Sequence, residues 1–193
     1  MRLFYCLLFA VSAWLGVRIE NAEQRSETLA AADHDSLHQS ALQLDESRVP
    51  LLTAARRHGI AVTNDAAICK SQGFMGWYAN GSKRVVLCQA NIRSFSQNHE
   101  SFNVLLQRTL AHELVHVAQD CQRSVGRLPS LGIPAAELYA LPKEALDEVE
   151  RSVAFVSGGF TPRSVRWRQE AEAQALEGNP KAVSAALDAV CGS

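Results

Sequence analysis

The stretch "TLAHELVHVAQDC", Thr109 to Cys121, sets two histidines four residues apart with a glutamate directly after the first. On an α-helix, residues four apart lie one above the other, so His112 and His116 can offer imidazole nitrogens to a single ion. Neutral imidazole suits zinc. Glu113 points about 100° around the helix, beside such an ion rather than at it, where its carboxylate can hold a water. The chemistry expected is hydrolytic. Zinc acidifies the water and polarises a peptide carbonyl, and Glu113 acts as general base, taking the proton and passing it to the leaving amine.

A catalytic zinc takes three protein ligands, so a third is needed. The continuation H-E-x-x-H-x-x-G-x-x-H fails, because Gln119 stands for the glycine and Gln122 for the last histidine. Asp120 extends the row His112, His116, Asp120, but eight residues of helix put its backbone about 12 Å from that of His112. It is expected to orient a histidine or to end the helix. A glutamate from a later helix remains, with Glu150 in "DEVERSVAF" and Glu170 and Glu172 in "RWRQEAEAQALEG" as candidates. Glu170 and Glu172 project about 200° apart, so both cannot face one ion. Ala171, Ala173 and Ala175 would let their helix approach the histidine helix closely. The segment "HDSLH", His34 to His38, repeats the histidine spacing with the shorter Asp35 and polar flanks, and reads as solvated.

The histidine helix is expected over about Ser101 to Asp120, with Leu106, Leu110, Leu114 and Val117 on one stripe and Arg108, His112, His116 and Asp120 on another. Upstream, a helix at about Val49 to His58 has Pro50 near its start and Gly59 after its end, and "IAVT" reads as a short strand. In "GFMGWYANGSKRVVLCQA", Asn80-Gly81 lies between two strand-forming runs, a strong hairpin signal. Downstream, a Gly/Pro connector from Gly126 to Pro134 precedes a helix from Pro142 to about Val156. Thr161 and Pro162 supply an N-cap and first-turn proline for a helix to about Glu177, and Asn179-Pro180 repeats the signal for a last helix to Cys191. These elements predict one α+β domain over residues 49–193, mainly helical, after a polar tail at 18–47. His58 and His99 read as surface residues near helix ends, and Trp167 as core packing.

The balance of 19 basic and 20 acidic residues, without long like-charge runs, gives no field to recruit nucleic acid or anionic lipid. Residues 1–17 open with Met1-Arg2 and continue as an apolar run of about 15 residues, short for a span of roughly 20. They read as a signal peptide or an uncleaved anchor, the one route to a membrane. The chain is therefore expected to be exported, periplasmic or extracellular, free or tethered. Beyond Cys6 in that run, the four cysteines Cys69, Cys88, Cys121 and Cys191 form no C-x-x-C pair, which favours two disulfides over a zinc ribbon. Three connectivities are open. Cys69 with Cys88 would close a hairpin, and Cys121 with Cys191 would pin the C-terminus to the histidine helix, for about 3 and 4 kcal/mol respectively by loop entropy.

The order of hairpin, H-E-x-x-H helix, connector and E-x-E-A helix resembles the gluzincin metallopeptidases. The segments "AHELVHVAQDC" and "WRQEAEAQALE", with their flanking cysteines, also resemble small exported proteins of cyanobacteria and their phages. The gluzincin resemblance implies a small zincin-like domain with a β-hairpin packed beside the H-E-x-x-H helix. It points to Glu170 as third ligand beside His112 and His116, with Gln174 where the family has an aspartate that supports a histidine. It implies that Phe74 to Ala79, including Trp77 and Tyr78, form an edge strand that pairs with a peptide or protein substrate. A tyrosine or histidine donates to the oxyanion in that family, and Tyr139 is a candidate, although helix packing explains it more simply. The implied activity is zinc-dependent peptide hydrolysis. The rival expectation is a zincin-fold module that captures a peptide or protein without cleaving it.

Overall fold

The structure is a computed structural model, described over residues 49–64, 66–96, 101–124, 129–155 and 162–192. Within these, the chain forms α1 (Pro50–Arg57), β1 (Ala61–Thr63), α2 (Ala66–Gln72), β2 (Gly76–Ala79), β3 (Arg84–Leu87), α3 (Gln89–Ser96), α4 (Phe102–Ser124), α5 (Ala135–Tyr139), α6 (Lys143–Phe155), α7 (Arg163–Leu176) and α8 (Pro180–Cys191). It is a mainly helical α+β domain with a small three-stranded sheet. The expected leader at 1–17, the polar tail at 18–47, the segment His34 to His38, His99 and Thr161 lie outside the described residues.

The long helix α4 is the axis of the domain. Leu106, Leu110, Leu114 and Val117 recur at helical spacing and are at most 1% exposed, each burial contributing roughly 1.5–3 kcal/mol. Around this stripe pack Leu51, Leu52 and Ala55 of α1, Val85 and Leu87 of β3, and Val183 and Leu187 of α8. Helix α7 turns the fully buried Ala173 into the α4 core, while the fully buried Ala171 and the half-buried Ala175, expected on that approach, pack instead with Leu138, Val149 and Val153 of α5 and α6. The small side chain at Ala173 lets α7 pack closely on α4, on the side from which Glu170 faces the histidines.

The sheet has strand order β1-β3-β2, with β1 parallel and β2 antiparallel to β3, so β2 is an edge strand among the described residues. The pleat sorts side chains by alternation. Tyr78, Val85 and Leu87 join the α4 core, whereas Trp77 and Val86 pack with Ile68, Cys69, Phe74 and Cys88 on the opposite face. The connection from β2 to β3 is a turn at Asn80 to Lys83, with Gly81 at φ +75° and Lys83 at φ +48°. Ser82 closes it, its amide and its hydroxyl both donating to the Ala79 carbonyl.

Two disulfides lock these parts together. Cys69–Cys88 joins α2 to the residue following β3, so it pins a helix to the sheet rather than closing the hairpin itself. Cys121–Cys191 joins α4 to the end of α8 across a separation of 70 residues. His58 is a second departure from expectation. Its ring is buried at the end of α1, and Nε2 lies 2.7 Å from Asp188 Oδ1, alongside the Arg57–Asp188 ion pair, which ties α1 to α8. Pro162 occupies the N-cap position of α7 rather than its first turn, and Asn179 caps α8 by accepting from the Ala182 amide at 3.1 Å.

Candidate metal centre

The second stripe of α4 carries four polar residues at successive turns, Arg108, His112, His116 and Asp120. His112 and His116 face Glu170 of α7. His112 Nε2 lies 3.5 Å from Glu170 Oε2, and His116 Nε2 lies 3.6 Å from Glu170 Oε1. One ligand atom from each of the three side chains falls within 4.8 Å of the others. Donors about 2.0–2.1 Å from one tetrahedral ion stand roughly 3.3–3.4 Å apart, so the two histidine–glutamate separations suit a zinc-sized ion. Two imidazoles and a carboxylate also form a donor set typical of catalytic zinc, with one position left open.

The competing candidates are placed elsewhere. Glu150 is exposed on α6 and pairs with Arg163. Glu172 is fully buried and accepts from Ser130 Oγ at 2.6 Å, the Leu131 amide at 2.8 Å and Gln119 Nε2 at 3.0 Å, with Arg168 beside it. Glu170 and Glu172 thus diverge, as their roughly 200° separation on a helix requires.

The histidines are held from behind by residues that the sequence left unassigned. Glu177, just past the end of α7, accepts from His112 Nδ1 at 3.0 Å and is itself held by Arg108, whose Nε is 3.2 Å from Oε1. Gln174, expected in that supporting position, is one turn too early. Glu177 follows Glu170 by seven residues, two turns of helix, so both carboxylates lie on the face of α7 that meets α4. That spacing was the available signal. Gln119, fully buried, places Oε1 3.0 Å from His116 Nδ1.

Asp120 neither ends the helix, which continues to Ser124, nor supports a histidine. It accepts from the Tyr78 hydroxyl at 2.8 Å and the Gly81 amide at 2.7 Å, clamping the hairpin to α4. Burial and the Asp120 carboxylate hold the Tyr78 phenol above its ordinary range. The clamp brings β2 against Glu113. A Cβ built on Gly76 would stand 2.6 Å from Thr109 Cγ2 and 2.7 Å from Glu113 Oε1, so only glycine fits at this crossing. The Cys88 amide donates to the Met75 carbonyl at 2.8 Å. By antiparallel alternation Trp77 also pairs with β3, while the backbone groups of Gly76 and Tyr78 face the open edge. The Tyr78 side chain is turned inward, and Trp77 packs on the disulfide face, so a partner strand would meet backbone here. Tyr139 is 68% exposed and stacks on Trp167, ring centroids 4.7 Å apart, while Trp167 packs beside the small cluster of Leu138, Val149 and Val153.

Three largely buried carboxylates surround the two imidazoles and set the electrostatics of the site. Burial pushes the Glu113 carboxyl above its usual range, against the pull of His112 and His116. Burial opposes charge on His112 as well, but the Glu170 and Glu177 carboxylates outweigh it and raise the imidazole to about 10. Burial would also raise Glu170 and Glu177, yet their histidine partners hold both below the ordinary carboxylate value. His112 has a carboxylate beside each ring nitrogen, Glu177 at Nδ1 and Glu170 at Nε2, which favours the protonated ring. An ion held at Nε2 would displace the proton there. Loading at pH 7–8 is expected to release about one proton per ion, and affinity to rise about tenfold per pH unit below pH 10. Calorimetry in two buffers of different ionisation enthalpy measures this. Equal heats in both would contradict it.

A family model described as a domain of unknown function, DUF8637, matches residues 41–191. The chain belongs to this family. Comparison of this DUF8637 member with curated proteins and with solved structures gave no match. In this DUF8637 domain the matched region takes in His112, Glu113, His116, Glu170, Gln119 and Glu177, together with all four disulfide cysteines.

Proposed function

We propose that this DUF8637 chain is a zinc-dependent peptidase. The observation that carries the reading is the convergence of His112 Nε2, His116 Nε2 and the Glu170 carboxylate, with Glu113 one residue from the first ligand and against the edge strand. His112, His116 and Glu170 would hold the ion, which when bound supplies a Lewis acid and an acidified water. Gly76 and Tyr78 offer edge-facing backbone groups with which an extended peptide can pair, running past Glu113. Asp120 fixes that strand through Tyr78 and Gly81. Glu113, with a carboxyl made more basic by burial, takes the proton of the attacking water and delivers it to the leaving amine.

The two disulfides suit an oxidising environment, and no described helix is long and apolar enough to cross a membrane. We place the domain in the periplasm or outside the cell, free or tethered by the N-terminal apolar run.

Glu113→Gln tests the mechanism. The variant is expected to keep its ion and lose about 100-fold or more of peptide cleavage, the usual size of a general-base contribution. The assay reads new termini in a diverse peptide library by mass spectrometry. A wild-type protein that retains peptides without generating termini would instead be a binding module, and the hydrolytic assignment would fall.

A further inference from the structure

We propose that Gln119 is a positioning residue that selects which nitrogen of His116 faces the ion. The inference rests on the metal reading above and concerns a residue that touches neither ion nor substrate.

The argument is one of hydrogen-bond polarity. The Gln119 side chain is fully buried, and one end of its amide lies 3.0 Å from the Gln169 carbonyl oxygen and 3.0 Å from Glu172 Oε2. A carbonyl and a carboxylate can only accept, so the NH2 must be at that end. The amide oxygen is then the atom 3.0 Å from His116 Nδ1. That oxygen can only accept, so Nδ1 carries the hydrogen. The lone pair of a neutral His116 is left on Nε2, the nitrogen facing Glu170.

Glu172 is held in its acceptor role by everything around it. The Ser130 hydroxyl, the Leu131 amide and the Arg168 guanidinium are donors, and they leave the carboxylate no reason to turn. Arg168 also donates to Ser130 Oγ at 2.8 Å and to the Ile133 carbonyl at 2.6 Å, which ties the connector after α4 to the same network. The polarity thus runs from the connector through Glu172 and Gln119 to a ligand atom. This also accounts for the second glutamate of E-x-E. It is buried behind the site because Gln119 needs an acceptor there.

His112 provides a contrast within the same site, since its Nδ1 meets Glu177 and does not depend on Gln119. The test is nitrogen-15 NMR of the full chain loaded with cadmium-113, with cadmium affinity measured in parallel. The wild type is expected to show cadmium coupling to Nε2 of both histidines. In Gln119→Leu, affinity is expected to fall 10- to 100-fold, with Nε2 coupling lost or mixed with Nδ1 at His116 and kept at His112. Gln119→Asn is the second variant. It keeps a buried amide but sets the whole group, oxygen included, back from His116 by one methylene, and the same change confined to His116 is expected. Unchanged His116 coupling and an affinity within about threefold in either folded variant would overturn the proposal. A wild-type chain that takes no cadmium or zinc would instead remove the metal reading on which it stands.

Discussion

Glu170→Ala is expected to abolish stoichiometric zinc, because it removes one of the three side chains that converge on one point. Zinc sites of about 10–16 kcal/mol shared over four ligands assign roughly 2.5–4 kcal/mol to each, so affinity should fall about 60- to 700-fold. Glu150→Ala is the matched control. Its carboxylate is exposed and paired with Arg163, and zinc content should not change. Glu172→Ala should act differently from both, since the lost group is a buried acceptor for Ser130, Leu131 and Gln119 rather than a ligand. Its main effect is expected on thermal stability. Metal analysis of the three purified variants in parallel checks the assignment, and loss of zinc from Glu150→Ala alone would refute it.

Replacing Cys121 and Cys191 together by serine should produce the largest stability effect. A bridge across 70 residues is worth about 4 kcal/mol by loop entropy, which for a domain of this size lowers Tm on the order of 10–15 °C. The disulfide joins α4 to α8, and α8 carries no ligand. Glu170 is seated instead by the packing of α7 against α4, where the fully buried Ala173 joins the α4 core. The double variant should therefore still bind one zinc per chain at 25 °C. Thermal melts and metal content separate the two effects. Loss of zinc from the still-folded variant would mean that the bridge holds the ligands in place.

Local rules carried the sequence reading where local physics decides. The 3.6-residue period placed α4 and its buried Leu106, Leu110 and Leu114, and Asn80-Gly81 marked the turn at which β2 meets β3. The proline and asparagine signals located α1 and α8 within a residue or two. Short helices such as α2 and α3 have no comparable signature. Each is anchored by contacts distant in sequence, α2 by its bridge to Cys88 and α3 by Ile92 in the core.

The site divides in the same way. His112, Glu113 and His116 follow from helix geometry alone. The choice among Glu150, Glu170 and Glu172 depends on how α7 lies across α4, a tertiary fact, and only resemblance favoured Glu170 beforehand. Gln119 looked like a broken motif position because its partners, Gln169 and Glu172, come from another helix. Asp120 looked like a histidine support because its true partners lie in the hairpin 39 and 42 residues upstream. Glu177 was legible in principle, two turns after Glu170, but only once Glu170 was known to face the histidines.

The most direct test of the central claim is the metal content of the wild-type chain, purified under metal-replete conditions with both disulfides formed. The account predicts about one zinc per chain, removed by chelator and restored by added zinc. Protein that is folded, oxidised and free of zinc under those conditions would contradict it.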